Sequence, residues 1–285
     1  MGGSVDNSVL QTVLTLAQPF IEFIKYQLPK AGLYALIASP AIIVWLFLAF
    51  SKTEKSRKVL LLVFGLGCLT APFLLYVQYL WDLFPQFNLS YFIESNITSP
   101  NKQFIAMFIL FAAMEEIVKM YVIRKIDEKT LLIDTLGNAI RYSTASALGF
   151  SFVENVYYLY QFGPTASTGD LITMYFFRSI FTTCAHMIFS GIFGYHYGIG
   201  KFSIDITKQQ TISGERSKIS GIIGKIFNLP TSQAYQQKMI LKGLFLAVSI
   251  HATYNYLLQF NLIIPVVIFV ILGYLYLRYL LSRKA

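Results

Sequence analysis

Between Phe104 and Ile123 the chain reads FIAMFILFAAMEEIVKMYVI, an apolar stretch long enough to cross a bilayer, yet it carries Glu115, Glu116 and Lys119 near its middle. An ionisable side chain at mid-bilayer depth costs about 2.5–3.5 kcal/mol on insertion scales, so a chain that keeps three in one helix is expected to use them.

The rest of the sequence places that stretch in a membrane protein. Hydrophobic residues make up 55% of the 285 and charged residues 13%, and the mean hydropathy is +0.57, too apolar for a soluble domain of this size. The net charge of +9 resides in the short segments between apolar runs. Basic residues so placed orient a chain across a membrane, and nucleic-acid binding is set aside. Cys68 and Cys184 lie inside apolar runs, which excludes a disulfide framework and a thiolate zinc site; a metal would be held by His, carboxylate and water. Met1 to Asn7 include no basic residue, so no cleavable leader is expected.

Apolar residues at three- and four-residue steps from Leu10 to Leu28 predict an amphipathic helix in the membrane interface. Seven apolar runs follow: Leu33 to Phe50, Val59 to Leu83, Phe104 to Ile123, Asn138 to Tyr160, Leu171 to Tyr197, Met239 to Phe260 and Leu262 to Leu281. The expectation is an all-α, polytopic membrane protein with seven transmembrane helices. Basic residues follow the first, third and fifth runs, and Arg278, Arg283 and Lys284 close the chain. The N-terminus is therefore expected outside and the C-terminus in the cytoplasm. Residues 1–285 read as a single membrane-embedded domain with a core at 104–260. A basic cytoplasmic loop at 201–238 has room for a surface helix at Ile219 to Phe227.

Further polar groups interrupt the apolar runs: Arg141 and Glu154 in the fourth, Arg178, His186 and His196 in the fifth, His251 and Asn255 in the sixth. Some have plain structural roles. Glu115 precedes Lys119 by four residues, the favourable order for a helical ion pair; Arg141 and His196 fall near helix ends; Arg178 can pair with Glu154. Glu116, Glu154, His186 and His251 remain: two carboxylates and two imidazoles on four helices, a mixture that suits a divalent ion and zinc in particular. Adjacent helical residues point about 100° apart, so Glu115 and Glu116 cannot play the same part. One can touch a metal while the other faces a water. Asn255 shares a helix face with His251 and can donate to an oxyanion forming beside it. Gly149, the small residues Ser143 to Ala147, Gly191 and Gly194 leave room for close helix packing around these groups.

EEIVK at Glu115 to Lys119, GFSFVEN at Gly149 to Asn155, HMIFSGIFGYHYG at His186 to Gly198 and HATYN at His251 to Asn255 resemble, in order, the motifs of the PrsW family of intramembrane proteases. This family is distantly related to the prenyl-protein (CAAX) endopeptidases, which have histidine where this chain has Glu154. The resemblance implies a buried hydrolytic centre that cleaves a membrane-tethered protein, such as an anti-sigma-factor-like regulator. Glu115 would be the general base on water and Glu116 its partner carboxylate. Glu154, His186 and His251 would be the ligands of a zinc ion. Asn255 would steady the oxyanion, and Lys119, Arg178 and Asn155 would support. The two glutamates could exchange roles, and a metal-free glutamate protease stays open. So do an ion or proton transporter and a non-catalytic scaffold or immunity protein of the same fold.

Overall fold

The computed structural model describes Lys25, residues 27–50, 57–130, 133–202, Ile212, 218–227 and 229–282. The amphipathic helix expected from Leu10 to Leu28 lies almost wholly outside these residues. Among them there is no strand.

The chain runs through α1 (Leu28–Phe50), α2 (Arg57–Leu83), a 3-10 turn at Pro85–Phe87, α3 (Leu89–Asn96), α4 (Pro100–Thr130), α5 (Leu136–Phe162) and α6 (Thr168–Phe177). A π-turn at Arg178–Thr182 leads directly into α7 (Thr183–Lys201), followed by α8 (Lys218–Phe227), α9 (Thr231–Gln259) and α10 (Ile263–Ser282). Each of the seven apolar runs falls within one of these long helical units, save for Phe260 and Leu262, which lie in the connection between α9 and α10. Four of them, α1, α2, the continuous Thr168–Lys201 unit and α10, are long and apolar enough to cross a membrane. The other three, α4, α5 and α9, have 31, 27 and 29 residues. At 1.5 Å per residue all three exceed the roughly 30 Å of a bilayer core. α4 carries nine Asp, Glu, Lys and Arg residues, and α5 and α9 are rich in Ser, Thr, Asn, Gln and Tyr, which lowers their hydropathy.

Local chemistry sets the helix ends. Thr135 caps α5 by accepting from the Asn138 amide at 3.1 Å, and Ser167 caps α6 by accepting from the Asp170 amide at 3.2 Å. Asn261, at φ 52°, makes the tight reversal between α9 and α10 in a left-handed conformation that asparagine tolerates.

α5 is the axis of the bundle. Every residue from Tyr142 to Ser151 is buried, because α2 and α7 clasp it from two sides. A methyl group on Gly67 would collide with the Ser146 carbonyl, and one on Gly149 with the Phe64 carbonyl, so α2 and α5 lie nearly backbone to backbone. Gly194 does the same for α7, with Ala139 O 2.7 Å from where its Cβ would be. Lipid tails are as apolar as leucine, so helices in a bilayer gain from contact of this kind rather than from removal of water. α9 then packs on α7 and α4. At one end of the bundle Asp127 of α4 accepts from Tyr197 Oη at 2.8 Å and pairs with Lys201 of α7. Toward the other end the packing stops: the last buried residue of α2 is Leu74, the first of α4 is Ala112, and the 3-10 turn and α3 between them bury none.

Candidate active site

The polar residues of four helices and the π-turn meet on one face of α5. Glu115, Glu116 and Lys119 come from α4, Glu154 and Asn155 from α5, Arg178 from the π-turn, His186 and Ser190 from α7, and His251 from α9. Glu116, Lys119, His186 and His251 are each only 2% exposed. Groups this deep must largely satisfy one another, since little of their surface is open to water.

Lys119 holds the centre. Its Nζ lies 2.9 Å from Glu116 Oε1, 3.4 Å from Glu115 Oε2 and 3.1 Å from His186 Nδ1, with the ammonium 4.0 Å from the centroid of the Phe150 ring. An ammonium can only donate, so His186 Nδ1 accepts. The proton then sits on His186 Nε2, which donates to Glu154 Oε2 at 2.9 Å. Glu116 accepts from Lys119, from Ser190 Oγ at 3.2 Å and from His251 Nδ1 at 3.0 Å. With its Nδ1 proton directed there, His251 turns Nε2 toward Glu115, 3.8 Å from Oε2, and its ring stacks on Phe189 at 4.6 Å.

A second tier locks the first. Arg178 Nη2 is 3.0 Å from Glu154 Oε2, an ion-pair distance at an angle that makes no hydrogen bond. Its Nε donates to Asn155 Oδ1 at 3.1 Å, and its guanidinium lies 3.5 Å over the Tyr158 ring. Asn155 Nδ2 and Ser151 Oγ both reach Thr183 Oγ1, at 3.1 and 3.0 Å. The π-turn that carries Arg178 closes where the Thr183 amide reaches back five residues to the Arg178 carbonyl, and π-bulges of this kind recur at functional sites.

A cavity of about 470 Å³ opens onto this network. Glu115, Glu154, Arg178, His186, His251 and Asn255 line it, whereas Glu116 and Lys119 do not. The adjacent glutamates therefore diverge: Glu115 faces the space and Glu116 faces the protein. Donor atoms of Glu115, Glu116, His186 and His251 lie within 4.8 Å of one another, a group able to hold a metal ion. Glu154 is not in that group; it stands behind His186.

The description "PrsW family intramembrane metalloprotease" matches residues 55–280, a range that contains every residue of this site. The chain belongs to the PrsW family. A relative, Protease PrsW of Oceanobacillus iheyensis, is 29% identical over 106 residues, 37% of this chain and 46% of the relative. The matched part thus spans less than half of that relative's length. No solved structure matches the chain.

The metal in the PrsW family's description can be tested against these residues. Imidazole and carboxylate are the donors zinc accepts. Three carboxylates here face two cations, Lys119 and Arg178, leaving negative charge in excess for a divalent ion. The donor set fits.

Every residue singled out from the PrsW motifs is in the network or on the cavity wall. His196, by contrast, is buried against Gly243, its Nδ1 3.0 Å from the Ile192 carbonyl, and Arg141 contacts Asn138 at 3.5 Å. Sequence reasoning missed Ser190, Phe189 and Phe150. Spacing could have found all three: Phe189 and Ser190 follow His186 by three and four residues, and Phe150 precedes Glu154 by four, the steps that share a helix face.

Proposed function

We propose that the protein is an intramembrane endopeptidase that hydrolyses a peptide bond of a membrane-associated protein. What supports this most is the convergence of the Glu115, Glu116, His186 and His251 donor atoms within 4.8 Å at the wall of an otherwise largely apolar cavity. The chain is a single seven-span domain, with the basic connections and the C-terminus in the cytoplasm. Glu115, the glutamate on the cavity, takes a proton from water as the water oxygen adds to the peptide carbonyl carbon. Asn255, one helical turn from His251, donates to the oxygen on which charge develops. Glu115 then returns the proton to the departing nitrogen, the C–N bond breaks, and a carboxylate and an amine leave. Glu116, His186 and His251 would hold a zinc ion, which supplies Lewis acidity when bound, His186 through the nitrogen that Lys119 otherwise occupies, while Glu115 beside them stays free as the base. Glu154, with Arg178 behind it, orients His186, as outer partners of metal ligands do.

Elemental analysis of the detergent-purified protein tests the centre. Near-stoichiometric zinc in the wild type that disappears in a His186→Ala, His251→Ala double variant is the expected result. Alongside it, Glu115→Gln should not cleave a fluorogenic single-span reporter that the wild type cleaves in proteoliposomes. A metal-free wild type whose cleavage resists chelators would leave a glutamate-only protease. Wild-type protein that cleaves no reporter and binds no metal would overturn the reading.

A further inference from the structure

α1 and α2 follow one another and both pack on α5, yet they pack little on each other. Between the last turns of α1 and the first turns of α2 lies a cavity of about 290 Å³. Leu46, Phe47 and Phe50 of α1 line it with Leu60 and Leu61 of α2, and Arg57 is the one charged residue among the described residues of its wall. Leu60 and Phe50 are buried, whereas Leu61 is 60% and Phe47 70% exposed. The cavity therefore has a floor of protein and opens outward. Both helices are long and apolar enough to cross a membrane, so the end of one and the start of the next lie at a membrane boundary.

The cation at the mouth of this cavity has no partner of its own. Arg57 and Lys58 are exposed, and among the described residues no carboxylate pairs with either. From Lys52 to Lys58 the sequence carries four basic residues and one acidic. If the gap were void, its walls would forfeit the contacts of a packed neighbour, and a water there would meet apolar atoms and find few partners. A hydrocarbon chain satisfies the walls, and a phosphate accepts from a guanidinium through two parallel bonds. A zwitterionic headgroup brings its own cation and gains less from a basic rim than an anionic one does.

We propose that the gap between α1 and α2 binds an anionic phospholipid, its acyl chain between the helices and its phosphate on Arg57, with Lys58 adding to the attraction. The site is separate from the catalytic cavity. Trp45, next to Leu46 on α1, donates to the Ser179 carbonyl at 2.8 Å, within the π-turn that carries Arg178. An occupant of the gap thus braces the helix that secures this turn.

Native mass spectrometry of the detergent-purified protein tests the site, with phosphatidylglycerol and phosphatidylcholine of identical acyl chains as probes. Phosphatidylglycerol should bind about tenfold more tightly or better, and an Arg57→Gln, Lys58→Gln double variant should lose that preference. Leu61→Trp, which narrows the gap, should weaken both lipids. Lys242→Gln, which removes an exposed charge on α9 outside the lining, should keep the preference. A ligand that binds only the folded state stabilises it, so phosphatidylglycerol should also raise the unfolding temperature of the wild type and not of the double variant. Equal binding of the two lipids would overturn the proposal. So would a preference that survives in the double variant, one lost equally in Lys242→Gln, a Trp variant that binds as the wild type does, or no rise in unfolding temperature. None of these measurements needs cleavage, so a protein that binds as expected but hydrolyses nothing would refute the protease reading and leave the lipid site standing.

Discussion

Lys119 Nζ lies 3.1 Å from His186 Nδ1, and since an ammonium has only hydrogens to offer, this one contact sets the tautomer of the imidazole and aims its Nε2–H at Glu154. The same lysine neutralises Glu116. Charge balance and ring orientation thus depend on one side chain, 2% exposed.

Lys119→Met should therefore be among the most damaging single changes. Removing one partner of a buried pair leaves the other charge uncompensated, at a cost of about 3–5 kcal/mol. The double variant Lys119→Met, Glu116→Gln should be more stable than Lys119→Met alone. Thermal unfolding of the three proteins in detergent checks this; a double variant weaker than both singles would deny the coupling.

The two adjacent glutamates should separate activity from stability. Glu115→Gln is expected to lower cleavage by about 10²–10⁴-fold with little change in unfolding temperature, because Glu115 faces the cavity. Glu116→Gln should lower the unfolding temperature as well, because its carboxylate accepts from Lys119, Ser190 and His251. The opposite pattern, measured by reporter cleavage and thermal unfolding, would hand the base role to Glu116.

Glu154→Gln keeps an acceptor for His186 Nε2 but gives up the charge opposite Arg178. A loss of about 10–100-fold in activity or metal affinity is expected, with a larger loss for Glu154→Ala. Steady-state cleavage and metal titration are the measurements. Glu154→Gln indistinguishable from wild type in both would remove Glu154 from the machinery.

Two glycines of the bundle should respond in opposite directions. Gly149→Ala puts a methyl group into the Phe64 carbonyl and should destabilise by about 1–3 kcal/mol as α2 and α5 separate. A Cβ on Gly65, also on α2, meets nothing within 4 Å, so Gly65→Ala should be neutral or stabilising by up to about 1 kcal/mol. Parallel melting curves decide it.

Much of this arrangement was legible in the residues. Apolar runs found the seven long helices, because lipid contact demands apolar surface wherever a helix faces it. The runs underestimated α4, placing it at Phe104 to Ile123 where the helix extends from Pro100 to Thr130. Hydropathy marks the apolar length, whereas backbone hydrogen bonding continues past it. The polar interruptions picked out the groups that now face Lys119 and the cavity. What the residues could not convey was the side of His186 on which Glu154 falls: helical spacing places a side chain on its own helix and says nothing of which imidazole nitrogen a partner helix will meet. The break at Arg178–Thr182 was equally hidden inside one apolar run, Leu171 to Tyr197.

That break amounts to one surplus residue in an otherwise regular helix. Arg178 and His186 are eight positions apart, which in an uninterrupted α-helix would set them about 80° apart around the axis. Absorbing one residue in the π-turn brings them to within about 20°, and so both can meet the same oxygen, Glu154 Oε2. A related chain with no such turn would need its arginine seven positions before the histidine to make the same pair. Between relatives, a change in that spacing by one would mark the gain or loss of the turn and not the loss of the contact.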